Sequence, residues 1–385
     1  MATPFTGEGE RRKGSAELRA LAARRLRPVA DRGAPGRVNR PLLATLGELG
    51  LLSRVVPLAG PVRALDLCLL RESLAYACTE AETALALQGL GAHPVVAHGT
   101  RAQRARWLPE VAAGRAVAAF ALSEPGAGSD AAALELHAEP EPGAGSVSGP
   151  AGAVGWRLHG EKRWISNAPQ ADVYTVFART GPGIRAAGVT AFLVPADRPG
   201  LGGEPLEMLG PHPLGTLTFD GVPVGPGDVV GEVGRGFRLA MGTLDLFRPS
   251  VGAFAVGMAR AALDASVAHA GERRAFDGPL KDLQAVSHLL AEMATRTEAA
   301  GLLVQAAAAA YDAGEPGVAA RSAMAKLFAT ETAQYVVDSA VQIHGARALA
   351  RGHLLEHLYR EVRAPRIYEG ASEVQRTIIA KELYR

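Results

Sequence analysis

The hydrophobic periodicity of this 385-residue chain changes twice, and this change limits the folds that the chain can adopt. Residues 38–53 and 62–78 repeat leucine at helical spacing. Residues 120–230 contain short β-type runs separated by many glycines and prolines, and long alanine- and leucine-rich stretches return from residue 234. This order predicts a β domain between two helical domains.

We therefore predict an α+β multidomain fold. It has an N-terminal helical domain over residues 1–119, a central β-barrel-like domain over residues 120–230 and a C-terminal four-helix bundle over residues 231–385. Strands in the central domain are expected at residues 156–158, 173–177, 189–194 and 217–219. Breaks between the C-terminal helices are expected near residues 271–279, 314–317 and 345, where glycines occur.

Charge and cysteine content exclude several classes of function. The net charge is only +2, so we predict no nucleic-acid partner. Cys68 and Cys78 lack Cys-x-x-Cys spacing, and no histidine lies at metal-ligand spacing from them, so we expect reduced cysteines and no metal site. No uninterrupted apolar run reaches the length of a membrane span, so we expect no membrane association.

The N-terminal segment lacks the continuous apolar core of a secretory signal. We therefore expect a cytoplasmic protein. Arg11, Arg12 and Lys13 leave mitochondrial import as an alternative, and the acidic residues Glu8 and Glu17 count against it.

Glu369 lies on a glycine-containing turn just ahead of a helical pattern. Ser372 followed by Gln375 is a capping-box pattern, so a helix is expected to begin at Ser372 and to leave Glu369 outside it. Leu383 of that helix is expected to face a core. A carboxylate on such a turn can act as a base in a cavity, or it can only favour the helix dipole. This segment by itself leaves both interpretations open.

Two segments of the central domain suggest a cofactor site. The apolar strand at Phe120–Leu122 runs into the glycine-rich turn Ser123–Asp130, whose backbone N–H groups could approach a ligand closely. The turn lacks the Gly-x-Gly-x-x-Gly of a dinucleotide fold and is weak evidence by itself. Trp164 and Ser166 alternate along a later strand and would offer a ring and a hydroxyl to an aromatic cofactor, with core packing of Trp164 as the alternative.

A third segment, Glu272–Leu280, lies between two long helices. Within and just after it, Arg273 is a candidate for pairing with phosphate, Phe276 for stacking and Gln284 for a polar contact. A solvated corner between helices would explain the same residues.

Taken in order, these segments resemble the acyl-CoA dehydrogenase family from about residue 40 to the C-terminus. Six matches in the family's order are hard to obtain by chance. They are Ser123–Asp130, Lys162–Asn167, Arg248-Pro249, Glu272–Phe276, Gln342–Gly345 and Ile367–Glu373.

The resemblance implies an FAD enzyme that forms the α,β-double bond of an acyl thioester, either acyl-CoA or acyl-carrier protein. By this likeness Glu369 removes the α-proton, flavin N5 takes the β-hydride, and the Glu369 N–H stabilises the developing enolate. Some family members carry the base one position before the arginine of Arg248-Pro249. That position is Phe247 here, which cannot act as a base, so Glu369 keeps the role.

The same resemblance assigns the remaining site residues. The residues expected to line the flavin are Phe120, Leu122, Ser123, Gly128, Ser129, Trp164 and Ser166. Those expected to hold the adenine and pyrophosphate end of a flavin bound mainly by a neighbouring subunit are Arg273, Phe276, Gln284, Gln342 and Gly345. Those expected to bind substrate are Ser129, Asp245, Arg248, Tyr368 and Gly370, with Gln88, Leu90 and Leu244 along the acyl pocket.

The resemblance further implies fatty acid metabolism, a homodimer or homotetramer, and electron-transfer flavoprotein as a partner near Trp164. A flavin oxidase or flavin monooxygenase on the same fold is the nearest alternative among enzymes. A non-catalytic relative acting as an interaction protein is the other alternative. It is supported by Ala346, whose methyl would crowd the flavin pyrophosphate where the family has a glycine, and by Ala371, where the family commonly has a threonine that helps to hold the cofactor.

Overall fold

Helices form both ends of the chain in the computed structural model, which describes residues 8–141, 155–181 and 185–384. A π-helical turn at Ala22–Leu26 joins the first two helices. The helices are α1 (Glu8–Leu21), α2 (Arg27–Ala30), α3 (Arg40–Glu48), α4 (Leu52–Val55), α5 (Ala64–Ala77), α6 (Thr79–His98), α7 (Arg101–Ala112), α8 (Gly236–Glu272), α9 (Gln284–Asp312), α10 (Val318–His344), α11 (Leu354–Glu361) and α12 (Ser372–Glu382).

Strands occupy the middle of the chain, as predicted. The strands are β1 (Ala118–Ala121), β2 (His137–Pro140), β3 (Trp156–Ser166), β4 (Val173–Arg179), β5 (Val189–Pro195), β6 (Leu201–Gly202), β7 (Pro205–Leu206), β8 (Leu214–Val224), β9 (Val229–Val230), β10 (Arg274–Ala275) and β11 (Gly278–Pro279). Every predicted strand lies within β3, β4, β5 or β8. The predicted breaks between the C-terminal helices are also confirmed.

The first nine strands form one mixed sheet in the order β6-β8-β3-β2-β4-β5-β9, with β1 beside β4 and β7 beside β8. The long strands β3 and β8 pair antiparallel, from Trp156 opposite Val224 to Ser166 opposite Leu214. The register shifts between Lys162 and Ile165, which marks a β-bulge at Trp164. The predicted fold class is confirmed, with a central mixed sheet between helical regions.

The described chain divides into two compact units. The sheet unit contains Pro28–Val62 and Thr83–Leu244, and the helical unit contains the described residues up to Arg27, Arg63–Glu82 and those from Asp245 onward. The division into three domains along the sequence stays a prediction.

In the sheet unit, α6 packs directly on the sheet. Gln88 donates to Ala116 O and accepts from Ala118 N–H, both at 2.7 Å. A Cβ on Gly91 would lie 2.6 Å from Ala119 N, so only glycine allows this approach. Thr175 Oγ1 on β4 donates to Gly91 O at 3.1 Å. Gln88 is fully buried and bonded to backbone, so its amide ties α6 to the sheet, and its place along an acyl pocket stays a prediction.

In the helical unit, α10 packs against α9, α11 and α12, and α5 packs against α1 and α9. A Cβ on Gly252 of α8 would lie 2.7 Å from Val304 Cγ2 of α9 and 3.2 Å from Ala325 O of α10, so these three helices meet closely there. By length and composition α8 alone among the described helices could cross a membrane, although 67% of its apolar window is buried within the protein. This burial is typical of a core helix.

Candidate active site

The turn that carries Glu369 has a left-handed backbone. Ile367 N–H and Tyr368 N–H both donate to Ala364 O, at 2.8 and 3.2 Å, and close a short helical turn ahead of it. The chain then takes φ = 53° at Glu369 and φ = 94° at Gly370. A positive φ costs a non-glycine residue about 1–2 kcal/mol. Surrounding contacts must therefore hold Glu369 in this conformation.

Side chains from three helices hold the turn by its carbonyl oxygens. Arg248 on α8 donates through Nε to Glu369 O at 3.3 Å. Lys326 on α10 donates through Nζ to Gly370 O at 2.6 Å. Gln375 on α12 donates through Nε2 to Glu369 O at 3.2 Å and to Gly370 O at 2.8 Å. These bonds fix the orientation of the Glu369–Gly370 and Gly370–Ala371 peptide groups and so restrain the backbone that carries the Glu369 side chain.

The helix after the turn begins at Ser372 as predicted, but the predicted capping box is wrong. Its N-cap residue is Ala371, and Ser372 Oγ donates instead to Glu331 Oε1 at 2.6 Å. The Gln375 amide donates to the carbonyl oxygens of the preceding turn, and the Ser372 hydroxyl donates to α10, so neither side chain is left to form the cap. Leu383, which we expected to face a core, is 72% exposed.

The Glu369 carboxyl group is largely withdrawn from water. Its Oε2 atom is buried and has no hydrogen-bond partner among the residues that the structure describes. Burial raises the pKa of Glu369, and the positive charges of Arg71, Lys326 and Arg248 oppose this rise, while Glu82 adds to it. A carboxylate with a raised pKa is a stronger base than one in water.

Two further groups on the turn have unused hydrogen-bonding capacity. Glu369 N–H meets no acceptor in the described part of the chain. The Tyr368 hydroxyl likewise has no hydrogen-bond partner there. The Tyr368 side chain is 37% exposed, yet burial raises its pKa against the attraction of Arg71. The Glu369 N–H and the Tyr368 hydroxyl are therefore both available to donate to a ligand beside the base.

Arg71 and Glu82 form a buried ion pair that influences the charge of Glu369. Arg71 Nη1 also donates to Ser250 Oγ at 2.8 Å, and its guanidinium lies 5.8 Å from the Phe254 ring centre. A buried pair of this kind needs both partners, since removing one leaves an uncompensated charge.

Asp245 and Arg248, predicted as substrate residues, lie one helical turn apart on α8 and form an ion pair at 2.9 Å. Burial raises the pKa of Asp245, and Arg248 opposes this. Arg248 is therefore committed to Asp245 and to Glu369 O, which makes it a support of the base turn. Phe247, at the alternative base position, is fully buried.

In the sheet unit, the two candidate flavin segments are bonded to each other. Arg163 N–H donates to Ser123 O at 2.9 Å. Lys162 is buried and donates to Leu122 O at 2.9 Å and to Glu124 Oε1 at 2.7 Å. These contacts bring Leu122 and Ser123 beside the strand that carries Trp164 and Ser166.

The accessible surface of this segment pair fits an aromatic, hydrogen-bonding cofactor. Trp164 has φ = 58° and is 43% exposed. Among the described residues, the hydroxyls of Ser123, Ser129 and Ser166 have no protein partner, and a Cβ on Gly128 would meet nothing within 4 Å. Phe120 at the end of β1 is half-buried, 4.8 Å from the Phe177 ring. Open hydroxyls, open backbone and an exposed ring are what a flavin needs.

The second predicted set of cofactor-binding residues lies in the helical unit, and all five residues are exposed. Arg273 and Phe276 belong to the short hairpin β10–β11, where Leu280 N–H donates to Arg273 O at 2.8 Å. Phe276 is 86% exposed with φ = 52°. Gln284 follows on α9, while Gln342 and Gly345 lie at the end of α10, and all three are exposed. An exposed aromatic residue in a strained turn suits contact with another molecule.

Sequence reasoning missed the charged surroundings of Glu369. Arg71 lies inside the leucine-rich helix α5, Lys326 lies inside the alanine-rich helix α10, and Glu82 lies on α6. A charged residue within an apolar helical stretch is the signal that would have drawn attention to Arg71 and Lys326, because charged side chains are almost never fully buried unless they are paired.

Three family models match the chain in succession. The N-terminal domain of acyl-CoA dehydrogenase matches residues 9–115, the middle domain residues 119–222 and the C-terminal domain residues 234–384. Together they cover most of the sequence.

Individual relatives carry names of the same kind. The probable acyl-CoA dehydrogenase fadE25 of Mycobacterium leprae is 35% identical over 378 residues, covering 96% of this chain and 94% of that protein. The mitochondrial short-chain specific acyl-CoA dehydrogenase of Bos taurus is 37% identical over 347 residues, covering 88% and 81%. Among solved structures, butyryl-CoA dehydrogenase from Megasphaera elsdenii matches with a TM-score of 0.88 at 30% identity, covering 100% of both chains.

Proposed function

The chain belongs to the acyl-CoA dehydrogenase family of flavoprotein oxidoreductases, and from this membership we propose that it forms the α,β-double bond of an acyl thioester. Glu369 takes the α-proton, the electrons of that C–H bond form the new double bond, and the β-hydrogen leaves as a hydride. FAD supplies the hydride acceptor when bound.

The observation that carries the proposal is the state of Glu369. One carboxyl oxygen is buried without a partner, and the backbone N–H of the same residue has no acceptor among the described residues. Glu369 can therefore serve the reaction in two ways. Its carboxylate receives the α-proton, and its N–H stabilises the negative charge that develops on the thioester oxygen.

The exposed groups described above would hold the cofactor. Ser123, Ser129, Ser166 and Trp164 would bind the flavin ring and its ribityl chain. The exposed residues of the helical unit would contact the adenine and pyrophosphate of a flavin in a neighbouring subunit, and they are Arg273, Phe276, Gln284, Gln342 and Gly345. This arrangement supports a homodimer or homotetramer.

The acyl group is proposed to arrive as acyl-CoA, with an acyl-carrier protein as the second possible carrier. Tyr368, Gly370, Asp245 and Arg248 would lie along the thioester. Electron-transfer flavoprotein is the proposed electron acceptor, and it would bind near the exposed Trp164. The proposed location of the protein is the cytoplasm.

Anaerobic flavin bleaching tests the proposal. Purified protein loaded with FAD should lose its yellow absorbance when butyryl-CoA or another acyl-CoA is added without oxygen. Glu369→Gln should still bind the thioester and should not bleach. Glu373→Gln, on the exposed first turn of α12, is the matched control and should bleach like the wild type.

Two outcomes would contradict the proposal. Full bleaching by Glu369→Gln would remove this residue as the base. Oxygen consumption with release of hydrogen peroxide at the rate of substrate turnover would identify a flavin oxidase instead.

A further inference from the structure

We propose that Lys326 is a positioning residue of the base, which holds the Glu369–Gly370 turn and places beside Glu369 a positive charge that favours its ionised, proton-accepting form. The inference rests on the proposed role of Glu369 and adds a residue that acts through it.

Lys326 is an unusual lysine because its charge is not matched. Its side chain is fully buried on α10, and its hydrogen bond is to a neutral acceptor, Gly370 O at 2.6 Å. Among the described residues, no carboxylate lies within 4.0 Å of its Nζ. Lys162 in the sheet unit is just as buried, but it has Glu124 at 2.7 Å. A buried ammonium without a paired carboxylate lowers stability, so its presence calls for a reason other than packing.

The hydrogen bond alone does not supply that reason. Gly370 O already accepts a bond from Gln375 Nε2 at 2.8 Å, so the turn has a neutral donor at the same oxygen. What Lys326 adds is its charge.

The other cations near Glu369 are already paired. Arg71 has Glu82 as its ion-pair partner, and Arg248 has Asp245 at 2.9 Å. Arg71 still acts on Glu369 more strongly than Lys326 does, with Glu82 opposing it, and Arg248 acts less strongly than Lys326. Lys326 differs from both arginines in having no carboxylate of its own.

The acids that face Lys326 from other directions are engaged elsewhere. Glu331, on the same helix, accepts from Ser372 and pairs with Arg366 at 2.8 Å. Glu373 on α12 is exposed and pairs with Arg376 at 3.4 Å. Glu369 remains the buried acid without a partner for its Oε2, and it acts on Lys326 more strongly than Glu331 or Glu373 does. An unmatched cation and an unmatched carboxyl oxygen in one buried cluster therefore interact with each other.

The directions of their pKa shifts agree with this geometry. Burial lowers the pKa of Lys326 to about 8, against the opposing attraction of Glu369. In its charged form Lys326 counteracts the effect of burial on the pKa of Glu369.

The first test is the pH profile of anaerobic bleaching in the FAD-loaded protein. The low-pH limb of the profile is the range over which the bleaching rate falls as Glu369 becomes protonated. Lys326→Met removes the charge, so this limb should move up by about one pH unit. At pH values below the limb, the rate should be roughly tenfold lower than in the wild type. Lys326→Arg keeps a charge and should restore the limb to its wild-type position. The dissociation constant for the acyl-CoA, measured in the Glu369→Gln background, should be unchanged by either substitution. A limb that stays in place in Lys326→Met would overturn the proposal.

The second test needs no turnover and uses the free energy of unfolding. Lys326→Met should be at least as stable as the wild type, because it removes a buried charge. The gain should be larger in the Glu369→Gln background, where the lysine has lost its attraction. Equal losses of stability in both backgrounds would mean that Lys326 is only a structural clamp. Should Lys326→Met fail to fold, Lys326→Gln provides the same comparison with a neutral donor kept.

The two proposals fail separately. Wild-type protein that binds FAD and does not bleach with any acyl thioester would refute the proposed function, whereas the unfolding measurements would still decide whether Lys326 and Glu369 interact.

Discussion

Replacing Gly370 by alanine should disturb the base turn through two effects of known size. Gly370 has φ = 94°, a conformation that costs an L-residue about 1–2 kcal/mol. An added Cβ would lie 2.4 Å from Gln375 Nε2, which must then give up its bonds to Glu369 O and Gly370 O. Two such hydrogen bonds contribute about 1–3 kcal/mol together. We expect the free energy of unfolding to fall by about 2–5 kcal/mol.

Activity should fall as well, because the displaced Gln375 no longer fixes the peptide of the base. A displacement of about 1 Å in a catalytic group costs roughly 100-fold in rate. The matched control is Gly352→Ala: Gly352 has φ = 88°, and its added Cβ would meet nothing within 4 Å. It should lose only the conformational part, about 1–2 kcal/mol, and should bleach at the wild-type rate.

Denaturant unfolding and stopped-flow bleaching of both variants measure these effects. Equal losses of stability in Gly370→Ala and Gly352→Ala would show that the contact with Gln375 has no energetic weight. A wild-type bleaching rate in Gly370→Ala would refute the argument that the carbonyl bonds hold the base in position.

Other predictions concern the sheet unit. Glu124→Ala leaves the ammonium of Lys162 buried without its partner and should lower the free energy of unfolding by about 3–5 kcal/mol in denaturant. The control Glu110→Ala removes an exposed ion pair with Arg115 and should change the free energy of unfolding very little. Burial lowers the pKa of Lys162 to about 8, below its ordinary value of about 10.4, so the unfolded chain binds more protons between these values. Stability should therefore rise with pH through that window, and Lys162→Met should reduce the rise. Thr100→Ala removes the capping box of α7 and should cost about 1 kcal/mol in the same measurement without changing the bleaching rate.

Most elements of the fold were predictable because each leaves a local apolar pattern in the sequence, either repeated at helical spacing or continuous over a short run. The runs at 173–177 and 189–194 became the fully buried parts of β4 and β5. The leucine pattern over residues 38–53 runs through the sequence without a break, yet the structure divides it into α3 and α4 at Gly50, where φ = 69°. Periodicity reports which face of a segment is buried, and it does not report where a glycine leaves the helical region.

The sequence alone determined the order of helices and strands, the family, and Glu369 as the candidate base, since each follows from local pattern or from motifs in a fixed order. Only the tertiary structure decided what surrounds that base. Arg71, Arg248, Lys326 and Gln375 come from four different helices, and three of them are more than 40 residues away from Glu369 in the chain. Electrostatic interactions and hydrogen bonds depend on distance in space. The left-handed conformation of Glu369 and the balance of charge that sets its basicity therefore appear only once these helices have packed together.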